Sequence, residues 1–336
     1  MILAQKMARD PNDVPETYFR KAAGTARFAY NGALAEWPRQ YAAWKADPTG
    51  PKPSDPALRK QLHVIKGDPF PGMLEVTKNA PPMAIIHLGQ AFKNFFVGTA
   101  EYPTFKKKGR HDRFTLTKDH VVIKGKKVHI PKLGWGRLHE ALRCGGQVGE
   151  GTVSWTADRW FLSVTVEIGD PPAVRRDNQA GGGVDLGVSA LAPLSTGEKI
   201  VGPPAYAAAL KTLRRLSQQF SRQMEAAKIR AGLRPGDPLP QGMHIPWAEN
   251  MATTPRRIAR LHARIAHMRA DAWPPLTRYL VDRFAVIAIE DLNVAGMLKN
   301  HKRARAIADR GCGEFRRPLE YTAAQRGKTV VIVHRW

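Results

Sequence analysis

The chain has 336 residues, of which 53 are Lys or Arg and 29 are Asp or Glu, giving a formal net charge of +24 on a background that is 43% hydrophobic. That is length and apolar content enough for two or three cored domains, which excludes a wholly disordered chain, and a cation excess of this size calls for a polyanionic partner, nucleic acid before a membrane surface. No run approaches the ~18 consecutive apolar residues of a membrane span, the opening MILAQKMARDPND lacks the apolar core of a secretory signal, and Cys144 and Cys312 are too far apart for a zinc site or disulfide framework, so a cytoplasmic, nucleoid-associated protein is expected.

Residues 15–41, rich in Ala, Arg, Phe and Tyr and without strand-like alternation, predict a helix, followed by a Pro-rich loop over 47–56. A second helix is predicted over 82–96, where Ile85, Leu88, Phe92 and Phe95 recur at spacings of three and four, a stripe expected to pack on the first helix. From Tyr102 short β-rich runs follow, at 114–117, 120–123 and 127–130, divided by Lys-Gly and Pro-Lys turns. Residues 151–154 and 160–168, joined by Thr156-Ala157-Asp158, read as a hairpin, so a small antiparallel barrel or sheet is expected. The polar stretch 169–181 reads as a linker.

Beyond it come a strand at 183–191, then 192–194, a Ser195-Thr196-Gly197 turn and a return strand at 198–201. Two long helices are predicted, 207–230 with Leu210, Leu213, Leu216 and Phe220, and 255–280 with Ile258, Leu261, Ile265, Met268, Leu276 and Leu280. Arginines occupy much of the second helix's remaining surface, and the Pro- and Gly-rich segment 231–250 between the two reads as a loop. A strand at 284–289, a helix over 304–325 and a strand at 328–333 complete an α/β layer with helices against a mixed sheet.

Asp185 falls inside the apolar run Gly-Val-Asp-Leu-Gly-Val, where an ionised carboxylate is expensive without a cation or hydrogen bonds. Glu290 and Asp291 follow the apolar run 285–289, where a parallel strand delivers its C-terminal end to a cleft. Acidic residues on neighbouring strands can share Mg²⁺ or Mn²⁺, and two-metal phosphodiester cleavage, with ions about 3.5 to 4 Å apart, needs such converging carboxylates. The competing reading is that Asp185 caps a turn and Glu290-Asp291 cap the segment that follows.

The run Lys106-Lys107-Lys108-Gly109-Arg110, continued by Arg113 and framed by Tyr102 and Phe114, is a basic patch with aromatic interleaving that could hold phosphates and stack bases; a solvated turn is the plain alternative. His262 and His267, five apart in a helix, do not share a face as a metal pair would. Cys312 has no His or Asn arranged for it locally and reads as a packing residue.

Several segments in order are similar to the TnpB family of transposon-associated proteins, relatives of the type V CRISPR effectors with a RuvC-type nuclease domain. They are Gly24-Thr-Ala-Arg-Phe-Ala-Tyr-Asn31, Ala91-Phe-Lys-Asn-Phe-Phe96, Tyr102-Pro-Thr-Phe-Lys-Lys-Lys-Gly109, Gly183-Val-Asp-Leu-Gly-Val188 and, most specific, Ile289-Glu-Asp-Leu-Asn-Val-Ala-Gly-Met297, continued by Ala306-Ile-Ala-Asp309 and Glu314-Phe-Arg-Arg317. The resemblance implies an RNase H-like (RuvC) nuclease domain over 183–336, an oligonucleotide-binding-type β-barrel over 102–168 that begins in a helical region at 1–101, and a linker at 169–182. It implies a Mg²⁺-dependent RNA-guided DNA endonuclease that uses a noncoding guide RNA from the transposon end and a double-stranded DNA target. Asp185 and Glu290 would be catalytic metal ligands, and Arg27, Lys93, Lys106, Lys107, Lys108, Arg110 and Arg113 nucleic-acid contacts.

Family members continue past the last strand into a zinc ribbon and a third catalytic aspartate, whereas this sequence stops at Arg335-Trp336. Weak or absent cleavage is therefore expected, with a nuclease-inactive RNA-guided DNA-binding protein or a transposon remnant as the other outcomes. Pro274 and Pro275 are expected to interrupt the long helix and Pro318 the last one, since a proline inside a helix costs about 3 kcal/mol or more.

Overall fold

A computed structural model describes residues 1–9, 13–65, 70–169, 181–186, 192–200, 205–240, 242–245, 248–300, 304–310 and 312–334. They fall into two units, Met1–Asp170 and Pro171–Trp336. No helix of the described residues is long and apolar enough to cross a membrane.

The first unit runs β1 (Ile2–Arg9), α1 (Asp13–Ala46), α2 (Asp55–Ile65), a short 3₁₀ helix (Pro71–Glu75), α3 (Ala80–Phe96), β2 (Arg113–Leu116), β3 (Val122–Lys124), β4 (Lys127–Ile130), β5 (Gly134–Arg137), β6 (Gln147–Thr156) and β7 (Arg159–Glu167). In α1 the buried residues Phe19, Ala22, Ala23, Ala26, Ala29, Tyr30, Ala33 and Trp37 recur every three or four positions. Alanine at most of these lets α3 approach closely, and Trp37 stacks on Phe92 with ring centroids 4.0 Å apart. Tyr18 ties the helices to the loops: its hydroxyl donates to Pro131 O at 2.9 Å and accepts from Thr77 N at 3.0 Å.

The anticipated barrel is not closed among the described residues. An antiparallel sheet in the order β1-β7-β6-β2 lies beside a separate sheet β3-β4-β5. Helix α1 covers the face that a closed barrel would turn inward, with Phe19 5.1 Å from Trp160 and 5.9 Å from Phe114. The β6–β7 hairpin turns at Ala157-Asp158, as its turn residues indicate, but begins at Gln147 and carries a bulge between Val148 and Gly151.

The second unit contains β8 (Gly182–Val184), β9 (Ala192–Pro193), β10 (Lys199–Ile200), α4 (Ala205–Arg230), α5 (Glu249–Arg283), β11 (Val286–Glu290), α6 (Val294–Met297), α7 (Ala304–Arg310), a 3₁₀ turn (Cys312–Glu314), α8 (Arg316–Gln325) and β12 (Thr329–Val333). Strands β12, β11 and β8 form a parallel sheet, with Ile289 opposite both Ile332 and Val184. The antiparallel β9–β10 hairpin joins β8 through a bridge between Val184 and Leu194. The strand expected over 183–191 thus starts one residue earlier and ends at Val184, and 187–191 lie outside the described residues, as do 170–180 of the expected linker. Helices α4 and α5 are antiparallel: Leu213 packs on Ile265, and Ala227 near the end of α4 packs with Met251 at the start of α5.

The prolines do not break these helices. Helix α5 passes through Pro274 and Pro275 because Trp273 and Leu276, on either side of them, together with Leu280 and Val281 are buried in the same core, which outweighs the lost backbone bonds. Pro318 is the third residue of α8, where the backbone N–H would lack an intrahelical acceptor anyway. The helix expected over 304–325 is instead divided into α7, the 3₁₀ turn and α8.

Gly182 is where β8 meets this core, and a Cβ there would lie 2.7 Å from three ring carbons of Phe284, itself 4% exposed. Gly182→Ala should lower unfolding stability by about 1–3 kcal/mol, and adding Phe284→Leu should recover part of that loss in denaturant titrations. Equal stability of wild type and Gly182→Ala would contradict this packing.

Candidate functional site

Because β8 and β11 run parallel with Val184 opposite Ile289, the residues that follow each, Asp185 and Glu290, emerge side by side at the C-terminal edge of the sheet. Both line an open groove of about 370 Å³ together with Ser195, Leu194, Pro193 and Val333. Asp185 is exposed, not enclosed in an apolar strand as its sequence context suggests, so it escapes the desolvation cost that first singled it out. The turn after β9 is clamped onto β8: Asp185 N donates to Pro193 O at 3.0 Å, Ser195 N to Gly183 O at 2.9 Å, and Gly183 N to Ser195 Oγ at 2.9 Å.

Asp291 does not join the pair. Its backbone N–H continues the β12 ladder to Val333 O at 2.9 Å, and its carboxylate faces Arg316 Nη1 and His334 Nδ1, each at 3.4 Å. The N-cap of α6 is Asn293, whose side chain accepts from Gly296 N at 2.9 Å, so Glu290 and Asp291 do not cap it. Among the described residues no group of three or more His, Cys, Asp or Glu could hold a metal ion. His262 and His267 are both exposed on α5.

In the first unit the basic run is a built turn. Asn31 of α1 holds the backbone of Lys106 from both sides, accepting from its N–H at 2.8 Å and donating to its carbonyl at 2.9 Å. Asp112 accepts from Gly109 N at 3.0 Å and pairs with Arg27 at 2.5 Å, with side chains only 18% and 10% exposed for Arg27 and Asp112. Arg27, Lys106 and Arg113 come together around a small pocket with His87 and His111. Lys107, Lys108 and Arg110 are exposed on the turn, and Lys93 is exposed in the last turn of α3, outside that pocket. Of the framing aromatics, Tyr102 is 47% exposed, whereas Phe114 is 2% exposed in the core and cannot stack a base. Asn31 and Asp112 were missed from sequence; the signal for Asp112 is that it is the one acid in an otherwise basic run.

Lys106 lies over the Tyr30 ring with Nζ 3.4 Å from its centroid. Burial, reinforced by the Arg113 charge, pulls its pKa down to about 8, and burial together with Arg113 and Lys106 lowers that of His87. Since the folded pKa of Lys106 lies below its unfolded value, the folded state binds fewer protons there, and this residue's contribution to stability should rise as pH increases from about 8 towards 10.5. Thermal unfolding of Lys106→Met should lack that increment, and an identical pH profile in wild type and variant would refute it.

Residues 163–301 match a family described as "Probable transposase", and residues 1–45, which contain β1 and most of α1, match one described as "Helix-turn-helix domain". A protein of Streptomyces pristinaespiralis named "Putative RNA-guided DNA endonuclease" is 31% identical across 97% of this chain and 76% of its own length. "Putative RNA-guided DNA endonuclease InsQ" of Escherichia coli is 29% identical across 98% of this chain and 80% of its own. A cryo-EM structure titled as a Cas12f1-sgRNA-target DNA complex shares the fold, with a TM-score of 0.53 at 13% identity, covering 96% of this chain and 74% of that one. With matching motifs, relatives alike across nearly the whole of this chain and a shared fold, the chain belongs to the TnpB family of transposon-associated proteins.

Proposed function

We propose that this chain is a transposon-associated RNA-guided DNA endonuclease that carries a guide RNA from the transposon end to a double-stranded DNA target in the cytoplasm. The reading is supported by its relatives' names and by a net charge of +24. The observation that carries it is the juxtaposition of Asp185 and Glu290 at the ends of neighbouring parallel strands, over one groove. In this reading the β11-centred unit is an RNase H-like domain, and the first unit is an opened oligonucleotide-binding barrel with α1, α2 and α3 as its helical part.

Among its described lining residues the groove offers carboxylate oxygens and neither thiolate nor imidazole, a hard donor set that fits Mg²⁺ or Mn²⁺. Asp185 and Glu290 would hold the ion, which when bound activates water and stabilises charge on the phosphodiester. Ser195, locked to the backbone of Gly183, sets the position of the strand end that presents Asp185. Arg27, Lys93, Lys106, Lys107, Lys108, Arg110 and Arg113 would meet phosphates, with Arg27 also fastening the turn through Asp112. A second reading, guided DNA binding without cleavage, is favoured by one observation: the described residues bring no third ligand to the two carboxylates.

The test is plasmid cleavage in Mg²⁺ by the protein coexpressed with its transposon-end RNA. Asp185→Ala and Glu290→Gln should each reduce guide-dependent cutting by about 100-fold or more, while the same RNA copurifies. Cutting that survives in both variants would overturn the assignment, and guide-dependent binding without cutting by the wild type would select the second reading.

A further inference from the structure

The small sheet β3-β4-β5 presents an outer face that the functional reading above does not use. Its register sets Lys124 opposite Lys127 and Lys127 opposite Arg137, so three cations form one row across the three strands. The neighbouring row is Val122, His129 and Trp135. Residues directly opposite in antiparallel strands share a face, and the intervening row, Ile123, Val128 and Gly136, turns to the core, where Val128 is fully buried. Trp135 is flanked by Gly134 and Gly136, is 51% exposed, meets the His129 ring edge-on at 5.4 Å, and lies 5.8 Å from Lys124 Nζ.

Like charges directly opposite one another destabilise a sheet. No acid relieves them locally: residues 120–139 contain five Lys or Arg and no Asp or Glu, none of Lys124, Lys127 and Arg137 forms an ion pair with a described residue, and only Lys124 has a ring near it, that of Trp135. A row of cations held in mutual repulsion beside an exposed indole is suited to a ligand that is itself a row of anions carrying flat apolar rings. That is a single strand of nucleic acid, with phosphates along the cation row and a base on the indole. A duplex keeps its bases stacked inward and offers nothing to Trp135.

We infer that this face is a docking surface for an unpaired segment of RNA, with one base stacked on Trp135 and its flanking phosphates on Lys124, Lys127 and Arg137. The inference rests on the proposed function, in which the RNA is the partner that carries unpaired bases into the complex. It is distinct from the basic turn at 106–113, which lies on a different part of the chain and is held by α1.

Fluorescence anisotropy of the full chain with a labelled oligouridylate of about 12 nucleotides tests it. Trp135→Ala should weaken binding about 5- to 150-fold, the range for losing one stacked base, and Trp135→Phe should recover most of it. The triple variant Lys124→Ala, Lys127→Ala, Arg137→Ala should reduce the slope of log affinity against log salt by about 2. Its melting temperature should stay level or rise, because repulsion is removed, whereas a merely structural role would lower it. Unchanged affinity in Trp135→Ala, or a loss confined to DNA oligonucleotides, would overturn the inference. A wild type that binds no RNA would fail the functional reading; a wild type with steep salt dependence and unaltered variants would fail this surface alone.

Discussion

Parallel pairing of β11 with β8 on one side and β12 on the other brings three C-terminal strand ends to a single edge, and what the second unit can do follows from that shared direction. A side chain placed one residue past Val184 or Ile289 has no choice but to open onto the groove there. The alternation of the strand explains why Glu290 lines that groove while Asp291, one residue on, meets Arg316 and His334. The same ladder depends on a core in which Trp273, Leu280, Phe284 and Phe315 pack beneath it, so the long helix is held helical across two adjacent prolines by what it buries.

The first unit answers a different constraint, that of bringing many cations close together in a folded chain. It does so by fixing the backbone with neutral or acidic side chains, Asn31 on Lys106 and Asp112 on Gly109 and Arg27, and leaving the charges themselves at the rim. The cations drawn inward are each received: Arg27 by the Asp112 carboxylate, Lys106 by the Tyr30 ring and Arg9 by the Phe19 ring.

Long periodic elements could be read from the sequence because burial follows their period. The stripe of Ile85, Leu88 and Phe92 is buried on α3, and Leu213 and Ile265 meet as their spacing suggests. Strand β1 was not legible because two of its three buried positions are the polar Gln5 and Arg9, with Met7 between them, so hydrophobicity does not alternate with burial. Only the tertiary partners reveal why: Gln5 donates to Ala141 O at 3.0 Å and accepts from Arg143 N at 2.8 Å, and Arg9 lies over Phe19. Helix α2 was hidden by the prolines at its start. Asp185 and Glu290 were visible as acids set in apolar runs, but the exposure of Asp185 and the diversion of Asp291 depend on register, which a single strand's sequence does not contain.

Strand β1 pairs residue for residue with β7, Ile2 against Glu167 through Arg9 against Trp160. During synthesis, therefore, β1 leaves the ribosome long before its partner and must wait for almost the whole unit, and the sheet cannot close until β7 has emerged. An apolar strand left open for that interval would seek other chains. Gln5, Lys6 and Arg9 make β1 a poor template for such pairing, and their neutral and cationic groups find their acceptors and ring faces only when the native sheet and α1 assemble around them. The polar inward positions that keep this strand from reading as an amphipathic one thus also make it a poor template for premature pairing.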